Sequence, residues 1–355
     1  MNVHDEIARA RRLARPLQRW QQRGWQAAGL ALDDLAFHQG DFAGADLRGA
    51  ALGHSRWIEC DLRGADLRGA GLDAASFVRC RLDGARFDGA SARNAGWVDS
   101  TLAGSSWQDV ALTLCAWMKC RLDDADFAGA RLERCAFGAS EAARLDLAGA
   151  RLGQCVLNGL DLAAARLDGL AADTVMFIGC GLRDQDLAGL QLPRCNFDGV
   201  DFGAADLRGA ELSSANLHGA RLAGARLDGA NAPHVLFLDA RLEGCRFDGA
   251  MLEGALFVRA RLADCGFRDA RLRLSVWERA QLVGVDWRGA DFEYARLEHL
   301  RGERVDARGA GFDHASLHGA EFADSDFADA RLRRARGTDP ELLAIQQPLL
   351  SLESA

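Results

Sequence analysis

Ten cysteines in a chain of 355 residues are the first place to look for chemistry, because thiolates ligate soft metals and attack electrophiles. Cys60, Cys80, Cys115, Cys120, Cys135, Cys155, Cys180, Cys195, Cys245 and Cys265 all stand two places before a large apolar residue, where other stretches carry alanine. They read as small buried hydrophobes. Cys115, Cys135 and Cys155 are spaced by twenty, close enough to suggest a disulfide if the chain stacks at that period, but a reducing cytoplasm disfavours one. Of the eight histidines, His314 and His318 bracket one short segment and His218 falls in the column of His318, with no outward thiol or carboxylate at ligand spacing beside them. The abundant Asp and Glu recur because a repeat places them before each large residue, which makes a solvated face before it makes a general base. No glycine-rich phosphate loop, nucleophile elbow or zincin motif is present. The expectation is a protein that is not an enzyme, with no catalytic residues, no cofactor and no metal.

The element that positions these residues is a five-residue register. From Phe37 to Leu332 every fifth position is nearly always Leu, Phe or Trp, and all 17 Phe residues lie on it. The unit is small-polar-large followed by two corner residues, often with Gly, as at Gly44, Gly49, Gly64 and Gly69. Five helical steps overshoot a full turn by about 140° and five strand steps land on the opposite pleat face, so neither regular element buries this pattern. A chain that turns a corner every five residues buries both inward positions. Trp57, Trp97, Trp117 and Trp277 are separated by multiples of twenty, so four units make one square coil. Exceptions come as compensating pairs, Ala142 with Leu145, Ala172 with Leu170, Ala232 with Val235 and Gly302 with Leu300, which conserve local volume. Gln185, polar at a small inward position, makes 140–192 a region of expected irregularity, as does Gly302 for 300–309.

Composition agrees with a repetitive, water-facing molecule: 39 Gly, one tyrosine (Tyr294) and one lysine (Lys119), with 51 acids against 43 bases for a net charge of -8. That mixed surface argues against direct nucleic-acid binding. No apolar run approaches the ~18 residues of a membrane span, and Met1–Glu6 shows no secretory pattern, so a cytoplasmic location is expected.

Units such as Ala45-Asp46-Leu47-Arg48-Gly49, Ala65-Asp66-Leu67-Arg68-Gly69 and Ala215-Asn216-Leu217-His218-Gly219 resemble the pentapeptide-repeat family over roughly residues 35 to 335. The resemblance implies an all-β solenoid, the right-handed quadrilateral β-helix, with about fifteen coils and a length of about 72 Å at ~4.8 Å per coil. The domains expected are an N-terminal helical cap over 1–34, the repeat over 35–335, and a short C-terminal helix and tail over 336–355. Residues 3–28 look like an Arg-rich amphipathic helix bearing Ile7, Leu13, Leu17 and Trp20, divided at Pro16. Thr338-Asp339-Pro340 is a helix start leading into Leu342, Leu343 and Ile345, and Pro348 precedes a leucine-rich tail.

One of the four faces differs from the rest. Beside its large residues stand Ile58, Val78, Val98, Met118, Met176, Ile178, Leu236, Leu238, Leu256 and Val258, where the other faces carry Asp, Arg, Glu, Ser or Gly. An outward apolar stripe of this extent calls for cover by a protein partner, a second copy, or the chain's own termini. Family resemblance implies two functions. Some members are accessory, effector-loading components of bacterial type VI secretion systems, which suits a protein-binding scaffold. Others mimic DNA and bind type II topoisomerases such as gyrase, which needs an unbroken anionic strip, whereas here Arg48, Arg63 and Arg68 interrupt Asp46, Asp61 and Asp66.

Overall fold

Each five-residue unit folds as a short extended segment and a tight corner, and the corner is what a five-residue period demands. The computed structural model describes residues 3–341. Two residues past nearly every large side chain the backbone enters the left-handed region, at Gly44 with φ 67° and equally at Leu274 with φ 60°. Glycine makes that turn without a Cβ penalty; leucine makes it because the surrounding coil holds it there. The corner closes locally, as where Ala45 N–H donates to the Phe42 carbonyl at 3.0 Å. All other backbone pairing runs to the neighbouring coil, as Phe42 N–H to Asp61 O at 2.7 Å and Asp61 N–H to Gly40 O at 2.9 Å. Backbone groups are thus satisfied at a fixed separation of about twenty residues, in parallel. The result is a parallel, four-faced β-solenoid.

The chain forms two compact units, residues 1–181 and 182–355. In the first, nine parallel strands stack into one face, from Leu17–Gln18 and Ala36–His38 to Met176–Ile178. Phe37, Trp57, Phe77, Trp97, Trp117 and Phe137 stand in direct register along its inner side. Their rings stack nearly parallel, with centroids 4.1 Å apart for Phe37 and Trp57 and 5.1 Å for Trp97 and Trp117. A second ladder, Phe87, Trp107 and Phe127, meets the first edge to face, Trp97 against Trp107 at 88°. Offset stacking along each ladder and edge-to-face contact between them are both favourable ring geometries.

These indoles expose a rule of core chemistry. Where the small position two residues earlier is serine, the indole N–H has an acceptor: Trp57 donates to Ser55 Oγ at 2.9 Å, Trp107 to Ser105 at 2.8 Å and Trp277 to Ser275 at 2.9 Å. Where that position is Ala95, Cys115 or Val285, the buried Nε1 of Trp97, Trp117 or Trp287 has no hydrogen-bond partner among the described residues.

The solenoid begins earlier than the boundary at residue 35. Leu17–Gln18 already pairs with Phe37–His38, and Gln21, Gln26 and Ala31 bridge to Asp41, Asp46 and Ala51. In this first coil the volumes are swapped between the inward columns: Trp20 and Leu35 are buried at small positions while Ala27 takes a large one. The helix expected over 3–28 is correspondingly short, α1 (Val3–Leu13), with Ile7 and Ala10 buried. It lies over the open edge of the first coil. Trp20 Nε1 donates to Glu6, and Arg11 donates to the carbonyls of Ala31 at 2.6 Å and Asp33 at 3.4 Å, which lie on that edge.

In the second unit, strands Arg241–Glu243, Arg261–Ala263, Gln281–Val283, Arg301–Glu303 and Glu321–Ala323 form a five-stranded parallel sheet. The irregularity expected at 300–309 is absent: Arg301–Glu303 pairs in register on both sides. Gly302 fits because the Phe322 ring lies over it, where an added Cβ would meet the ring at 2.7 Å. Gln185 is buried and still holds its rung, its carbonyl accepting from Asp206 N–H at 2.9 Å. Residues Thr338 and Asp339 fold back on the coil below, Thr338 Oγ1 accepting from Gly319 N–H and His318 Nδ1 from Asp339 N–H. Of the expected C-terminal helix and tail, Leu342 onward lies outside the described residues.

Candidate partner-binding face

The outer side of the tryptophan-bearing face is set by strand geometry: with the large residue buried, the residues before and after it point outward. In the first unit Ile58, Val78, Val98 and Met118 are direct register partners on four successive strands, forming a continuous apolar column. Ile58, Val78 and Val98 are half-buried by one another and Met118 is exposed. The next position, Gly138, has no side chain, and Met118 reaches over it, with Sδ 2.8 Å from where a Cβ would stand. Asn158 then breaks the column, which resumes at Met176 and Ile178, both exposed.

In the second unit the same columns bring Leu236, Leu238, Leu256 and Val258 together, with Leu236 bridged to Leu256 and Leu256 to Val276. Sequence reasoning passed over two members of this surface and one exposed leucine at a corner of the coil. Val156, paired with Met176, and Val276 share the expected twenty-residue columns and could have been found there. Leu274, 52% exposed, sits at a left-handed corner where the repeat usually carries Gly or a polar residue, so no column pointed to it.

The stripe has a charged rim along one corner. Glu59 pairs with Arg79 at 2.7 Å and accepts from Gln39, and these bonds hold its carboxyl below the usual range. In the second unit Asp239 pairs with Arg259 at 2.6 Å at the corner, while Asp198 and His218, 2.7 Å apart, stand in the outward column that leads to Leu238. Among the strands, α1 packs only against Leu17–Gln18, so it covers the coil end and leaves the stripe open.

On the other faces, carboxylates are clamped two residues away by arginine. Asp46–Arg48, Asp61–Arg63, Asp66–Arg68, Asp206–Arg208, Asp286–Arg288 and Asp306–Arg308 are all paired at 2.5 to 2.7 Å. Hydrogen bonds from Arg48 take Asp46 down to about 2. Asp286 also falls to about 2, burial opposing the shift and hydrogen bonds from Arg288 and Arg268 outweighing it. At these rungs the acidic columns are neutralised by their own arginines.

All ten cysteines are buried free thiols. Several donate to carbonyls of the preceding coil, as Cys80 to Trp57 O at 3.2 Å and Cys120 to Trp97 O at 3.3 Å, and burial pushes Cys120 and Cys180 up to about 11. Thiols so placed are poor nucleophiles. Among the described residues no group of three or more His, Cys, Asp or Glu is arranged to hold a metal ion, and no helix is long and apolar enough to cross a membrane.

The family model for pentapeptide repeats matches eight copies, over residues 41–77, 120–159, 177–231, 239–276 and 303–336. The chain belongs to the pentapeptide-repeat family. Solved structures similar to it include HetL, a pentapeptide repeat protein involved in heterocyst differentiation regulation from the cyanobacterium Nostoc sp. strain PCC 7120, at 22% identity over 94% of this chain and 96% of that one, TM-score 0.19. QnrB1, a plasmid-mediated fluoroquinolone resistance protein, is 17% identical over 79% of this chain and 99% of its own, TM-score 0.18. A pentapeptide repeat protein of the Arabidopsis thaliana thylakoid lumen is 22% identical over 39% and 68%, TM-score 0.17. No curated protein sequence matches the chain.

Proposed function

We propose that this protein is a non-enzymatic scaffold that binds a protein partner, or a second copy of itself, through the apolar stripe. The observation that carries the proposal is the in-register column Ile58, Val78, Val98 and Met118, which the fold presents outward and α1 leaves uncovered. Side chains contiguous over four strands form a flat apolar patch of the kind found at the centre of stable interfaces. The finer form of the proposal, drawn from family resemblance, is an accessory role in effector loading by a bacterial type VI secretion system, acting from the cytoplasm. DNA mimicry is the poorer reading, because the paired arginines interrupt the anionic columns.

The test is Val78→Asp combined with Val98→Asp. Both positions face outward, so the β-rich circular dichroism spectrum is expected to be unchanged. Self-association measured by light scattering, or capture of spike and effector proteins from the native lysate, is expected to fall sharply. Recovery of topoisomerase subunits equally with wild type and variant would replace the proposal with DNA mimicry.

A further inference from the structure

The stripe in the second unit has a neighbour that the first lacks. One corner beyond Leu238 and Val258 stand Arg241 and Arg261, the opening residues of two paired strands, preceded in the same column by Arg221. All three are exposed. Arg221 is drawn toward Asp201, but among the described residues Arg241 and Arg261 are in no ion pair, unlike Arg208, Arg288 and Arg308 with their carboxylates. Two like charges held on adjacent strands without a counterion are mutually repulsive, and the sheet register forbids them to separate. The column therefore stands ready for an external anion, and it runs alongside Leu236, Leu238, Leu256, Val258 and Val276.

We propose that this corner docks an amphipathic, acidic α-helix of a protein partner, its apolar side on the Leu238–Val258 patch and its carboxylates on Arg221, Arg241 and Arg261. This rests on the scaffold reading above and names the chemistry of the partner. Spacing favours a helix lying along the stacking direction. Successive arginines recur at about 4.8 Å and the outer pair at about 9.6 Å. Helix residues i, i+3 and i+7 rise by about 4.5 and 10.5 Å, staying in step, while alternate residues of an extended chain, about 6.8 Å apart, fall out of step by the second rung. A nucleic-acid strand suits the site less well, because its phosphates would meet the arginines but make no use of the leucines beside them.

The experiment is fluorescence polarisation with the full-length protein and a labelled helical peptide of about twenty residues, Leu on one side and Glu at i, i+3 and i+7 on the flank. A peptide with Lys replacing Glu and a single-stranded DNA oligonucleotide serve as comparison probes. The acidic peptide is expected to bind and to lose affinity roughly tenfold or more in Arg241→Glu/Arg261→Glu, while the Lys peptide gains in that variant. Arg241→Gln/Arg261→Gln should lose affinity without the reversal, and the far-UV spectrum reports that both variants fold. Unchanged acidic-peptide binding in both variants, no preference over the Lys peptide, or tighter binding of the oligonucleotide would each overturn the inference. Loss on Leu238→Asp/Val258→Asp with no loss on the arginine variants would overturn it while leaving the scaffold reading standing.

Discussion

Ser275→Ala isolates the worth of a single buried oxygen. Ser275 and Trp277 are both 0% exposed. The serine Oγ accepts from the Trp277 indole at 2.9 Å and donates to the Leu272 carbonyl at 2.6 Å, so one atom serves two partners. Alanine keeps the Cβ and opens a space smaller than a methyl group, so the cavity contribution is slight. What remains is a buried indole N–H without a protein acceptor, at about 1–3 kcal/mol, the arrangement found at Trp97 and Trp117. The converse change, Ala95→Ser, supplies Trp97 with the acceptor it lacks and is expected to gain about 1 kcal/mol. Serine is tolerated in that inward column, as Ser55 and Ser100 show. The assay is urea unfolding followed by both tryptophan emission and circular dichroism. Midpoints are compared at unchanged slope, since a repeat array need not unfold in one step. A Ser275→Ala midpoint equal to wild type, together with Ala95→Ser less stable than wild type, would refute the Ser-Trp pairing as a source of stability.

Leu207, fully buried on the core ladder, should not tolerate Asp: an uncompensated charge there is expected to cost about 4 kcal/mol or more and to melt neighbouring coils, seen as loss of amide-exchange protection. Asp46 and Asp286, both held near 2 when folded, lie below the unfolded carboxylate value of about 3.9. Their contribution is complete above that unfolded value and is lost as pH falls through the folded one, so the melting temperature should be level from pH 7 to 5 and drop between about 4 and 2; a fall already complete by pH 5 would contradict the assignment. The ten buried thiols should be unreactive toward a thiol reagent at pH 8 in the native protein and all react in denaturant. Rapid native labelling of several would place those cysteines outside the core.

The five-residue register was legible because so many units repeat it that a few exceptions cannot hide it. The first coil was not, because its exceptions come together. Trp20 and Leu35 occupy the small column while Ala27 sits in the large one, and a scan for large residues at the usual position passes over them. The compensation seen in Ala142 and Leu145 is the same physics, and two inward columns read as one volume would have found the coil at Leu17. The outward stripe could be read because a parallel, in-register stack turns a twenty-residue column into a line of neighbours. Leu274 escaped because corner residues follow backbone geometry rather than column chemistry. The seat of α1 could not be read either, since it depends on Glu6 meeting Trp20 and Arg11 meeting the edge carbonyl of Ala31, contacts with no period to betray them.

In-register stacking also limits how either unit can change length. The Val78-to-Val98 column survives only if whole coils of twenty residues are gained or lost, since each rung is aligned by its place in the coil. An insertion of one five-residue unit would keep every core position filled and every corner satisfied, yet carry all later side chains in that unit a quarter turn round the coil. Such a change would cut the binding stripe and the aromatic ladder behind it at the same rung, so for this architecture a shift of phase is more harmful than the loss of a whole coil.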